Sequence, residues 1–509
     1  MKINLIEYFV HTVAENYNKT AVIEKDRSIC FGDLDLSARK LASEIIRKSD
    51  IKKTPIAVFL PKSIESVYAN LAITYSGNIY MNLDTKTPKG RIENILELIM
   101  PSLIITNASL ALEIESITPK GTMIITLDSL EECGNILTGE ELLLRLTDLI
   151  DTDPYCIINT SGSTGTPKGV VLNHKSFFDF IEWSINTLHF GEDEIMGSLS
   201  PLVFDIYSHE LCMLMAKAST IVVIPDSLSA FPAAILNMLK EYRVTYIFWV
   251  PTIMVNIANM ELLSKIDLPD LKTIWFAGEV FPTKQFNYWR RCLPERMFVN
   301  LYGPIEITLD CTYYIVRREI ADNEPIPIGY PCRNTDIIIL NDKNERIAEG
   351  EEGELCVRGT SLAMGYYNNP EKTSAAFVQN PLNRSYPETI YRTGDIVYVN
   401  KLGEIVFKGR KDTLIKHLGY RIELGEIEHV IVNQLKMVKN CCVVYNYAKK
   451  EITLFYETPE PLDTITMRKT ISSVFAKYMI PSIYIHMQEL PRNTNGKIDR
   501  LLLTKQVNG

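Results

Sequence analysis

This 509-residue sequence has no long apolar run, no paired cysteine motif and no excess of positive charge. A bilayer-spanning helix needs ~20 consecutive apolar residues, and no segment supplies them. Near the N-terminus Leu5, Ile6, Phe9, Val10 and Val13 fall at helical spacing, but Glu7, Glu15 and Asn16 interrupt them. That is an amphipathic surface helix, not a signal-peptide core. The ten cysteines (Cys30, Cys133, Cys156, Cys212, Cys292, Cys311, Cys332, Cys356, Cys441, Cys442) are scattered without a CxxC pair. In a long chain such spacing reads as reduced thiols in cores, not a disulfide frame or a zinc site, and points to the cytoplasm. A net charge of -9 argues against nonspecific nucleic-acid binding, which draws its affinity from basic side chains on phosphates. It does not exclude a nucleotide, because local amides and a few cations suffice for one polyanion. Repeats and low-complexity tracts are also lacking.

What is present is an ordinary globular composition, 46% hydrophobic and 23% charged, in a chain long enough for at least two domains. Ile56–Leu60, Ser63–Tyr75 and Ile79–Leu83 read as strand, helix and strand, the rhythm of parallel α/β layers. Leu103–Ile105, Met123–Thr126, Thr220–Ile224, Tyr246–Val250 and Thr273–Phe276 read as further buried strands, and Gly350–Glu354 as a charged turn. After about Arg410 the pattern changes to helix Leu424–Asn433, strands Cys441–Tyr447 and Ile452–Glu457, helix Thr464–Lys477 and strand Ile483–Met487. The expected division is residues 1–411 and a small α+β unit at 412–509, large enough for its own core.

The sharpest local signal is Thr160-Ser161-Gly162-Ser163-Thr164-Gly165-Thr166-Pro167-Lys168-Gly169, which follows the apolar run Tyr155–Ile158. Glycines let backbone amides converge on an anion, hydroxyls add donors, and Lys168 supplies a point charge. The run lacks the Gly-Lys-Ser/Thr ending of a P-loop NTPase. It resembles the phosphate-binding signature of the adenylate-forming superfamily, which includes acyl-CoA synthetases, luciferases and nonribosomal-peptide adenylation domains. The resemblance continues in that family's order through Leu83–Arg91, Phe204-Asp205, Asn300–Glu306, Gly353–Gly359, Tyr391–Asp395, Phe407–Asp412 and Asn495–Arg500.

The resemblance implies a large N-terminal α/β domain of layered sheets and helices with a small mobile α+β C-terminal domain. It implies ATP as co-substrate, with Thr160, Ser161, Gly162, Ser163, Thr164 and Gly165 around the phosphates. Tyr302 would stack on adenine, with Asn300, Gly303 and the Gly278-Glu279 backbone framing the base. Asp395 would accept the ribose hydroxyls beside Arg410, and Glu306 would hold Mg²⁺. Lys497 would steady the charge of adenylate formation and Lys168 the departing pyrophosphate. Asp412 would be the hinge on which the C-terminal domain swings, bringing Leu418-Gly419-Tyr420 toward a thiol tunnel. One departure stands out: Ile305 occupies a position where most relatives carry threonine, and the lost hydroxyl slows the enzyme without abolishing it.

By the same resemblance Asp205 pairs with a substrate ammonium, and Ile206, His209, Phe248, Trp275, Ala277, Leu301, Leu309 and Asp310 line the side-chain pocket. Trp275 and Phe248 make it shallow. Asp310 either receives a cationic or hydroxyl group or pairs with His209 in the wall. The implied activity is activation of a small amino acid and its transfer to the phosphopantetheine thiol of a carrier protein, or to CoA. No carrier follows Lys497, so the acceptor is expected to be separate. The Gly278–Pro282 run is similar to that of D-alanine:carrier-protein ligases, although those usually have cysteine at the place of Ala277 and methionine at that of His209. Two alternatives stay open: an acyl- or aryl-CoA synthetase, against which Asp205 argues, and a catalytically silent nucleotide-binding homologue, favoured only by Ile305.

Overall fold

Branched and aromatic residues at alternate positions build the central sheet, because successive side chains of a strand point to opposite faces. In the computed structural model, which describes residues 2–132, 135–160, 167–411, 414–492 and 498–508, this alternation divides two cores. Strands Tyr246–Trp249, Thr273–Phe276 and Met297–Tyr302 run parallel, with Phe248 beside Trp275 and Trp275 beside Val299. Tyr246, Phe248, Trp275, Ala277, Val299 and Leu301 fall in one hydrophobic cluster. The intervening Ile247, Trp249, Ile274, Phe276 and Phe298 fall in another. Both faces of the sheet are covered, as parallel strands require.

Among the described residues these three strands belong to a nine-stranded sheet, accompanied by sheets of seven and five strands. The seven-stranded sheet carries Pro55–Val58, Ile79–Asn82, Leu103–Thr106, Met123–Thr126, Pro154–Thr160 and Lys168–Asn173. The five-stranded, antiparallel sheet joins Thr335–Leu340, Glu352–Gly359, Thr389–Val399, Phe377–Gln379 and Ile405–Arg410. Glu352 and Glu354 therefore lie in a strand, not in the charged turn expected at Gly350–Glu354. Glu354 is tolerated there because Arg392 Nη2 donates to its carboxylate at 2.7 Å and the Gly394 N–H at 3.2 Å.

The chain divides into two compact units. The first holds the described residues of Met1–Thr85, Ile99–Ile158 and Val170–Lys411; the second holds those of Lys86–Leu98, Asn159–Gly169 and Asp412–Gly509. In the second unit the hairpin Leu414–His417/Tyr420–Glu423 turns through Leu418 and Gly419, both at positive φ, and Tyr420 stacks on Tyr478 with ring centres 3.6 Å apart. Asn440–Asn446, Glu451–Glu457 and Ile483–Met487 form a three-stranded sheet. The helix expected at Thr464–Lys477 stops at Ser472, because the Ser472 and Ser473 hydroxyls bond back to the carbonyls of Lys469 and Thr470. The helix expected at Leu424–Asn433 is helical to His429 and widens into a π-turn over Val430–Gln434. Among the described residues no helix is long and apolar enough to cross a membrane, and the nine described cysteines are all free, seven of them buried.

Candidate active site

Asp205 is the first residue of helix Asp205–Lys217, and His209 follows one turn later on the same face. The N-terminal end of a helix suits a negatively charged side chain. Asp205 Oδ1 also accepts the Ile206 N–H at 2.9 Å. His209 is fully buried against the sheet face just described, its ring centre 5.6 Å from Phe248 and 5.3 Å from Trp275. Phe180, Phe190 and Tyr246 close the box around it. Burial pushes the His209 imidazole down to about 3, so the ring is neutral. Its Nε2 lies 3.2 Å from the Tyr246 hydroxyl. The alternative pairing of His209 with Asp310 is thereby corrected: the partner is Tyr246, because Tyr246 shares the floor with Phe248 through the two-residue period of one strand.

Ile206, Ala277, Leu301 and Leu309 are buried in the same cluster. Leu309 has φ +65 and Thr308 φ +52, left-handed values that cost a side-chain-bearing residue about 1–3 kcal/mol each. They turn the chain after Ile307 so that Asp310, itself buried, follows directly. Gly303 makes that turn fit, since a Cβ there would lie 2.4 Å from the Leu309 carbonyl oxygen and 2.6 Å from the Asp310 Cα.

One residue beyond Leu301 the strand presents Tyr302 to its other side, where it packs with Leu355, Tyr391 and Val397 of the five-stranded sheet. The Tyr302 hydroxyl donates to Asp395 Oδ2, and Arg410 Nη1 donates to Asp395 Oδ1 at 2.5 Å. Arg410 Nη2 also holds the Thr393 carbonyl at 3.0 Å, and the Asp395 N–H bonds Thr393 Oγ1 at 2.9 Å. Burial and the Asp395 charge hold the Tyr302 phenol far above its ordinary value. Tyr302, Asp395 and Arg410 are thus one connected group. Asn300 donates to the Pro327 carbonyl at 2.8 Å. Gly278 sits at φ +89, and the Glu279 carboxylate accepts the Thr252 hydroxyl. Glu306 is fully buried, not a solvated charge, and accepts the Tyr366 hydroxyl at 2.7 Å.

Thr160 ends strand Pro154–Thr160, and its buried Oγ1 has no hydrogen-bond partner among the described residues. Lys168 begins strand Lys168–Asn173 and is half-buried. Ser161, Gly162, Ser163, Thr164, Gly165, Asp412 and Lys497 lie outside the described residues.

Residues 9–367 match the AMP-binding enzyme family. The chain belongs to that family. It is 27% identical to the L-proline–[L-prolyl-carrier protein] ligase of Pseudomonas fluorescens, over 99% of this chain and 99% of that one. It is 29% identical to the delta-poly-L-ornithine synthetase of Acinetobacter baumannii, over 98% of this chain but spanning only 36% of that protein. The adenylation domain AlmE of Vibrio cholerae, solved with glycyl-adenosine-5'-phosphate, has the same fold: TM-score 0.84 and 20% identity over 99% of this chain and 98% of that one. Among AMP-binding enzymes this one carries site partners that motif reasoning missed. Tyr246 was findable from the alternation with Phe248. Tyr366, in the two-residue strand Gly365–Tyr366, gives no sequence signal.

Proposed function

We propose that the protein activates an amino acid with ATP and passes it to the phosphopantetheine thiol of a carrier protein. The observation that carries this reading is Asp205: a carboxylate at a helix N-terminus, one turn from an apolar aromatic floor. That arrangement suits an ammonium group at one end and a short side chain at the other, whereas a fatty or aryl acid brings no positive group to the carboxylate. The likeness to a carrier-protein ligase over the full length of both chains supports the same reading. By resemblance D-alanine is the leading small substrate, and the scattered cysteines fit the cytoplasm as the compartment.

In the first step a substrate carboxylate oxygen bonds the α-phosphorus and the bond to pyrophosphate breaks. Asp205 holds the ammonium, Asp395 receives the ribose hydroxyls, Tyr302 flanks the adenine, and Lys168 and Lys497 offset the negative charge that accumulates. A carboxylate can accept about four hydrogen bonds, so Asp395 retains capacity beyond Tyr302 and Arg410. The unpartnered Thr160 hydroxyl suits a phosphate oxygen. In the second step the thiol sulfur bonds the acyl carbon, its proton leaves to solvent, and AMP departs. The donor set at Glu306, one buried carboxylate, fits Mg²⁺, which commonly takes one or two carboxylates and draws its other ligands from phosphates and water. When bound, the ion would neutralise phosphate charge.

Exchange of labelled pyrophosphate into ATP, measured across amino acids of both hands, tests the reading. Exchange with amino acids and none with benzoate or fatty acids is expected. The reverse result defeats it. Lys497→Ala should abolish exchange while a supplied aminoacyl adenylate still reacts with thiol; equal loss of both half-reactions would remove the role given to Lys497.

A further inference from the structure

Among the described residues the hairpin Leu414–His417/Tyr420–Glu423 is a sheet of only two strands, and two strands alone are marginally stable in water. Its alternation shows what holds it. Ile415 faces Ile422 across the ladder, and both are buried in the core of the second unit. Two residues along, His417 faces Tyr420, so this last pair before the turn shares the inward side. Each member of the pair meets a tyrosine from outside the hairpin. Tyr420 lies flat on Tyr478 of the short helical turn Lys477–Met479, with ring centres 3.6 Å apart and planes 8° apart. His417 meets the buried Tyr445 of strand Asn440–Asn446 edge-on, with ring centres 5.5 Å apart and its Nδ1 3.0 Å from the Tyr445 hydroxyl.

Between these clamps Leu418 and Gly419 both have positive φ, as a two-residue hairpin turn demands. Leucine adopts that conformation only where its surroundings impose it. Nor does Leu418 bury its side chain there: 42% of it is exposed. A strained apolar residue kept at an exposed tip, with an aromatic clamp on each flank, is a contact surface shaped before contact is made. Such pre-ordering removes the entropy of arranging the tip at the moment of reaction.

We infer that Tyr478 and Tyr445 are positioning residues of the thiol half-reaction, holding the Leu418-Gly419 tip in the one shape in which it meets the incoming thiol arm. This rests on the two-step reading above and on the swing of the C-terminal part that the family resemblance implies.

The test separates the half-reactions, with 4′-phosphopantetheine as the thiol and the amino acid that exchanges best. Tyr478→Leu removes the stack and should lower the single-turnover transfer rate about fivefold to tenfold at saturating thiol, with pyrophosphate exchange within about twofold of wild type. Tyr478→Phe keeps the ring and should restore transfer. Tyr445→Phe removes only the hydroxyl opposite His417 and should slow transfer about fivefold. Hydrogen exchange supplies a readout apart from activity: in Tyr478→Leu the hairpin amides should lose protection while those of strand Glu451–Glu457 keep it. Transfer at the wild-type rate in Tyr478→Leu overturns the inference and leaves amino-acid activation standing. Equal loss of exchange and transfer overturns it too, since that marks a general fault in the fold. Should Tyr478→Leu fail to fold, Tyr445→Phe decides alone, and wild-type transfer there rejects the clamp. Wild-type protein that exchanges pyrophosphate with no amino acid, or never loads the thiol, removes the underlying reading as well.

Discussion

Ile305 is expected to set a rate without setting the fold. It lies on the short turn Ile305–Ile307, half-buried, with its hydrocarbon against the main core. Threonine preserves the β-branch and adds a hydroxyl beside Glu306. A hydrogen bond to a charged group contributes about 1.5–3 kcal/mol, or about tenfold to a hundredfold in rate when made only in the transition state. Ile305→Thr should therefore raise single-turnover adenylate formation about tenfold, for about 1 kcal/mol of lost packing; a rate unchanged or lowered in quenched-flow measurements would show that the hydroxyl has no partner there. Tyr302 and Asp395 make the complementary point. Their side chains bond each other directly, so a change at either alters the other's hydrogen bonding.

At the scale of the element, close approach governs the loop that follows strand Met297–Tyr302. Gly303 faces the Leu309 carbonyl, and no side chain fits between them. Gly303→Ala should push Leu309 and Asp310 out of line, lowering the thermal midpoint and raising KM for the amino acid more than KM for ATP; parallel rises in both would locate the damage elsewhere. The strands themselves were legible because their alternation is undiluted: Thr273–Phe276, Met123–Thr126 and Ile483–Met487 have the bounds read from sequence. The five-stranded sheet was not. Its strands carry Glu354, Arg392 and Asp395 inward as bonded groups, and paired charges erase the apolar pattern on which the reading depends. The pocket floor was legible in its members, Phe248, Trp275 and His209, but not in its wiring. Hydrogen bonds such as Tyr246 to His209 join residues 37 apart and leave no local trace.

At the scale of the whole molecule, the proposed chemistry has two half-reactions and a hinge at Asp412 between them. Proline fixes φ and stiffens the preceding residue. Asp412→Pro should leave pyrophosphate exchange within about twofold of normal while blocking thioester formation on the carrier; normal overall turnover would refute the hinge. A different economy concerns the strand Met297–Tyr302. Leu301 packs in the cluster of Phe248 and Trp275, where the proposal seats the amino acid, and Tyr302 against the five-stranded sheet, so neighbouring codons would address separate tasks. Substrate choice can drift through odd-numbered positions along this strand while the even-numbered ones stay fixed. A family tree of such enzymes can therefore diversify in diet without renegotiating its fuel, and a one-codon deletion in this strand would scramble both at once.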